Sequence, residues 1–79
     1  MNWNLEGLRV KGLYLSGDVP VSGKVTLSRV EYGGNVSHHV TLDKGFSWKN
    51  GLVQREAGDT VIVDHKYITR VYSSLNDFI

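Results

Sequence analysis

Cysteine is absent from this chain of 79 residues, proline occurs once (Pro20) and neither sign of charge dominates. Without cysteine there is no disulfide to staple a small domain and no thiolate for a zinc site. Nine Lys and Arg against eight Asp and Glu leave a net charge of +1. Like charges do not cluster along the chain: residues 1–40 carry four basic and three acidic side chains, residues 41–79 five of each. That balance argues against a broadly electrostatic binder of nucleic acid or membrane. No apolar run approaches the ~20 residues of a bilayer span. Met1-Asn2-Trp3-Asn4 lacks the basic and apolar regions of a secretory signal, so a cytoplasmic protein with no membrane partner is expected. Helix signals are weak as well, since glycine recurs every few residues through much of the chain.

What remains is the composition of a folded, β-rich domain. Hydrophobic residues make up 41% and charged residues 22%, as in ordinary globular chains. The length allows one domain, residues 1–79, with 73–79 as a polar tail that ends in two apolar residues, frayed or turned once as a helix. Val and Thr are abundant, and nine glycines punctuate the chain into short strands.

The firmest element is a hairpin over Gly23–Asp43. Tyr32-Gly33-Gly34-Asn35 offers the positive φ angles that tight turns need. A turn centred on Gly33-Gly34 sets Val25 opposite Leu42 and Leu27 opposite Val40 on one face. Thr26 then meets Thr41, and Lys24 meets Asp43, on the other. Leu8–Leu15 reads as a strand interrupted at Gly12, followed by a turn at Ser16-Gly17-Asp18. Gly45–Gly51 reads as a loop holding Phe46 and Trp48. Leu52–Glu56 and Thr60–Asp64 read as a second hairpin around Ala57-Gly58, and Tyr67–Tyr72 as a closing strand. Five to six short antiparallel strands in so few residues must curl to protect their edges, which predicts an all-β, SH3-like small barrel with an OB-like barrel as the alternative.

The stretch Ser28-Arg29-Val30-Glu31-Tyr32-Gly33-Gly34-Asn35-Val36-Ser37-His38-His39-Val40-Thr41-Leu42-Asp43, with Gly58-Asp59-Thr60-Val61-Ile62-Val63-Asp64 after it, resembles short bacteriophage-encoded β-barrel proteins of unknown function. The likeness covers about half the chain. It implies a viral accessory protein acting in the cytoplasm of a bacterial host, and it carries over no catalytic residue.

Chemistry-bearing residues are few. In the register above His38 shares the apolar face with Arg29, and Glu31 lies towards the turn, so the three would line one rim able to hold an anion. Ser28 faces His39 outwardly, with no oxyanion hole, so no catalytic set is expected. A metal site would need His65 or Asp43 beside one of the paired histidines; no ligand spacing predicts one, and no cofactor is expected. The aromatics Trp48, Phe46, Tyr32 and Tyr67 flank turns and loops, where they either cap an open barrel end or form a binding surface. With Arg29 and His38 they complete the candidate binding residues.

The composition therefore predicts a non-enzymatic binding module that docks onto a host protein or onto copies of itself, as a homo-oligomer. Binding of single-stranded nucleic acid is the alternative, disfavoured by acidic residues interleaved with basic ones. An oligomeric sponge for a small phosphorylated ligand, held by Arg29, His38 and Lys24, is the third reading.

Overall fold

A computed structural model describes residues 3–72; the tail expected at 73–79 lies outside them. The fold is all-β. Seven strands follow one another: β1 (Arg9–Tyr14), β2 (Val19–Val30), β3 (Val36–Leu42), β4 (Phe46–Trp48), β5 (Val53–Arg55), β6 (Thr60–Asp64) and β7 (Ile68–Tyr72). A single 3-10 turn, His65–Tyr67, joins the last two. Five strands form one antiparallel sheet in the order β6-β3-β2-β1-β7, and β4-β5 stand apart as a hairpin. The strand order and the aromatic-bearing turn before the final strand fit the SH3-like expectation. The sheet is curled rather than closed, however, since β6 and β7 are its two ends.

The curl is visible at Gly12. A Cβ there would lie 3.0 Å from the Tyr67 carbonyl oxygen and 3.2 Å from Val63 Cγ1, so the 3-10 turn and β6 come back onto β1 across the core. The expected irregularity at this glycine is present, but its extra residue is Thr69 on β7. Lys11 pairs with Arg70 while Gly12 pairs with Ile68. The core is a row of valines and leucines: Leu5, Val10, Val25, Val40, Leu42, Val61 and Val63, with Tyr14, Phe46, Tyr67 and Ile68 packed against it.

The long hairpin forms, in a different register. Val25 pairs with Val40, Gly23 with Leu42 and Lys24 with Thr41, not Val25 with Leu42 or Lys24 with Asp43. Two features shift it. The turn is a five-residue loop, Glu31–Asn35, in which the Gly34 N–H bonds the Glu31 carbonyl at 2.9 Å and the Glu31 N–H bonds the Asn35 carbonyl at 2.6 Å. Thr26 is then an extra residue on β2, because Val25↔Val40 is followed by Leu27↔His39. The bulge turns Thr26 and Leu27 both outward and returns Ser28 to the core side.

The second expected hairpin does not form. Phe46 and Trp48 belong to β4, which pairs with β5 through Phe46↔Arg55 and Trp48↔Val53. Lys49, Asn50 and Gly51 reverse the chain between them with φ of 51°, 56° and 95°. The turn at Glu56–Asp59 is present, but its Gly58 N–H bonds the Leu42 carbonyl and the Leu42 N–H bonds the Asp59 carbonyl, at 2.9 and 2.8 Å. This hands β6 to β3, where Val61 meets Val40 and Val63 meets His38.

Gly23 is the tightest crossing of the sheet, since a Cβ there would fall 2.0 Å from the Thr41 carbonyl oxygen. Gly34 has φ 92° but open space around it. Gly23→Ala is therefore expected to cost more than about 2 kcal/mol through a backbone clash, and Gly34→Ala about 1 kcal/mol through conformation alone. Urea unfolding of the two variants tests the order, and equal losses would refute it.

Candidate functional site

Two arrangements of polar side chains stand out, one buried and one on the surface. The buried one begins where Leu5–Leu8 docks beside β2. The Gly7 N–H bonds the Val25 carbonyl and the Val25 N–H bonds the Leu8 carbonyl, at 2.8 and 2.9 Å. This brings the Leu5 N–H to Ser28 Oγ at 3.0 Å. Ser28 Oγ lies 2.7 Å from His38 Nδ1, and His38 Nε2 lies 2.8 Å from His65 Nδ1 on the 3-10 turn. His38 has no exposed surface and Ser28 almost none.

The Leu5 amide can only donate, so Ser28 Oγ accepts there. The two contacts of the His38 ring are coupled: a neutral His38 that accepts from Ser28 at Nδ1 donates to His65 at Nε2, and one that donates to Ser28 accepts from His65. Burial, and secondarily the nearby His65, hold the His38 pKa below its ordinary value of 6.5. The neutral ring is thus the folded form. Glu6 contributes from outside by accepting the Ser28 N–H at 2.9 Å.

The structure corrects the expected rim. Ser28, not Arg29, is opposite His38; Arg29 is opposite Ser37 and exposed. Glu31 bonds the Ser37 hydroxyl at 2.7 Å. Ser28 accordingly meets His38 inside rather than His39 outside. His65 does reach His38, the approach that a metal site would require, yet no group of three or more potential ligands forms among the described residues. The four aromatic candidates are dispersed. Tyr32 is fully exposed at the tip of the long hairpin. Phe46 packs edge-on against Tyr14 with ring centroids 5.9 Å apart, and Tyr67 also packs onto the core. Trp48 is half-buried, with Lys49 Nζ 4.6 Å above its ring.

The surface arrangement was not foreseen. Strand pairing aligns Lys24, Arg9 and Tyr72 in one cross-strand row and Ser22, Lys11 and Arg70 in the next. Residues opposite one another share a face, and Val10 and Gly12, which alternate with Arg9 and Lys11, are buried. The outer face of β2-β1-β7 is therefore basic. Lys44 joins it across an open groove of about 380 Å³ whose lining includes Lys11, Pro20, Ser22, Phe46 and Thr69. Five of the chain's nine Lys and Arg residues gather here. Asp43 alone forms an ion pair among the described residues, with Arg9 at the border of the face. The Arg70 guanidinium stacks 4.8 Å from the Tyr72 ring centre. The signal in the sequence was period two: Arg9-x-Lys11 and Arg70-x-Tyr72 each put alternate residues on one side of a strand.

Compared with known protein families, curated proteins and solved structures, the chain matches none of them.

The buried row has a consequence for acid stability. A histidine whose folded pKa is lowered binds its proton more readily when unfolded, so its stabilising contribution is complete above 6.5 and is lost as pH falls below that value. Urea unfolding should weaken between about pH 7 and pH 5 with a slope approaching one proton, about 1.4 kcal/mol per pH unit. His38→Gln should flatten that dependence; a wild-type chain with no loss over this range would overturn the assignment.

Proposed function

We propose that the protein is a non-enzymatic binding module and that its ligand is single-stranded nucleic acid, held on the basic outer face of β2, β1 and β7. The observation that carries this reading is the pair of rows Lys24–Arg9–Tyr72 and Ser22–Lys11–Arg70, with Lys44 beside them. Phosphates are bound by cations spaced along an extended track, and unpaired bases are bound by aromatic rings and by guanidinium planes. Both kinds of group lie on this face, Tyr72 and Arg70 next to one another. The groove beside Phe46 continues the track with polar and apolar walls.

A near-neutral total charge is no obstacle once charge is segregated. Several acidic residues lie away from the basic rows: Glu31 at the hairpin tip, Glu56 and Asp59 at the β5–β6 turn, Asp64 at the end of β6. They leave the local field of the face positive and limit adhesion elsewhere. The absence of catalysis is part of the same reading. Ser28 is hydrogen-bonded to a histidine as a nucleophile would be, but its hydroxyl lies under the sheet and accepts the Leu5 amide. No substrate carbonyl can approach it there.

Anisotropy of a labelled single-stranded oligonucleotide tests the proposal. Binding should weaken linearly in log salt, and Lys11→Ala or Arg70→Ala should each reduce the slope by about 0.7. Tyr72→Leu should weaken binding roughly 5- to 100-fold through lost stacking, while Lys66→Ala should leave it unchanged. Absence of binding at low salt, or equal losses from Lys66→Ala and Lys11→Ala, would refute it.

A further inference from the structure

We infer that two copies of this chain associate through β6, pairing Thr60–Asp64 with itself about a two-fold axis at Ile62. Among the described residues, β6 is one end of the sheet and pairs only with β3. The Leu42 N–H bonds the Asp59 carbonyl, and antiparallel bonding alternates from there. Asp59, Val61 and Val63 therefore turn their backbone groups towards β3. Thr60 and Ile62 turn an N–H and a carbonyl each the other way, and Asp64 its N–H; the Asp64 carbonyl opens the 3-10 turn by accepting the Tyr67 N–H. An open groove of about 210 Å³, walled by Ile62, Val63 and Asp64 on one side and Leu13–Ser16 and Tyr67 on the other, runs beside them. Among the described residues, none covers that edge.

The two sheet ends differ in how they are defended. β7 carries Arg70 and the Thr69 bulge, which oppose addition of a further strand. β6 has no proline, no lysine and no bulge, and its central residue Ile62 is 52% exposed. An undefended edge with an outward isoleucine is a template for another strand.

The sequence Thr-Val-Ile-Val-Asp identifies the second strand as another copy. Rotation about Ile62 sets Ile62 against Ile62, Thr60 against Asp64 and Val61 against Val63. The outward backbone groups belong to residues 60, 62 and 64, so Ile62–Ile62 and the two symmetry-related Thr60–Asp64 pairs fall at hydrogen-bonding positions and Val61–Val63 at non-hydrogen-bonding ones. Side chains match as well. The valines Val61 and Val63 point to the core side, where both are buried. Thr60 offers a hydroxyl to the Asp64 carboxylate on the outer face, twice by symmetry. Leu27, His39 and Ile62 already form one outward row across β2, β3 and β6, and the axis joins that row to its copy through the two isoleucines. The interface closes on itself, leaving only the defended β7 edges at the ends of the joined sheet.

Sedimentation equilibrium on the wild-type chain, from about 10 μM to about 1 mM, reads this directly. A concentration-dependent dimer is expected. Ile62→Lys should make it monomeric with an unchanged circular dichroism spectrum. Thr60 then reports the register. Thr60→Lys faces Asp64 of the other copy and should tighten the dimer roughly 2- to 30-fold, and Thr60→Asp should weaken it by a similar factor. Thr60 is exposed, so both variants keep the test valid should Ile62→Lys fail to fold. A monomer throughout the range, a dimer indifferent to Ile62→Lys, or Thr60 variants that shift the equilibrium in the same direction would each overturn the inference.

Discussion

The architecture depends on one strand serving two halves of the sheet. β2 runs for twelve residues, pairing with β1 through its first half and with β3 along most of its length. It can do so because Gly23 lets the Thr41 carbonyl approach where any side chain would collide, and because the Thr26 bulge adds twist just beyond. Everything placed on either face follows from that bend. Lys24, upstream of the bulge, joins Arg9 and Tyr72 outside; Ser28, downstream, is carried inside to meet His38.

How far the sequence could be read follows from the same residues. Strand identity was legible, since Val/Thr alternation and glycine spacing are local properties. The Leu8–Leu15 strand, the turn at Ser16-Gly17-Asp18, the long hairpin and the final strand all have counterparts in the structure. Register was not legible. It depended on whether Glu31 and Asn35 belonged to the strands or to the loop and on a bulge at Thr26, neither of which has a compositional mark. A slip of this kind exchanges faces, which is why Arg29 was expected where Ser28 lies. Partner choice failed for another reason. The Ala57-Gly58 turn suggested local pairing of β5 with β6, and a long-range bond pair with Leu42 overrode it.

The candidate surfaces were hidden by averaging. Counting charges along the chain mixes residues that pleating separates, so the basic rows on β1, β2 and β7 vanished into a total near zero. For the aromatic residues the sequence left two roles open. Phe46 and Tyr67 flank turns, where they could cap the barrel or form a binding surface, and a core built chiefly from valines uses their area to cover its end. The ring that shares a face with the cations, Tyr72, was assigned only to a closing strand.

The buried row of Ser28, His38 and His65 also sets a limit on what such a row can be. A chain of hydroxyl and imidazole groups conducts protons only if each member can hand one on and receive another at the far end. Here the inner terminus is the Leu5 amide, which has a hydrogen to share and no lone pair to offer. Proton traffic entering from the solvent side at His65 meets a blind alley. The row is a latch that fastens the 3-10 turn to the sheet, and its geometry forbids the shuttle that its composition suggests.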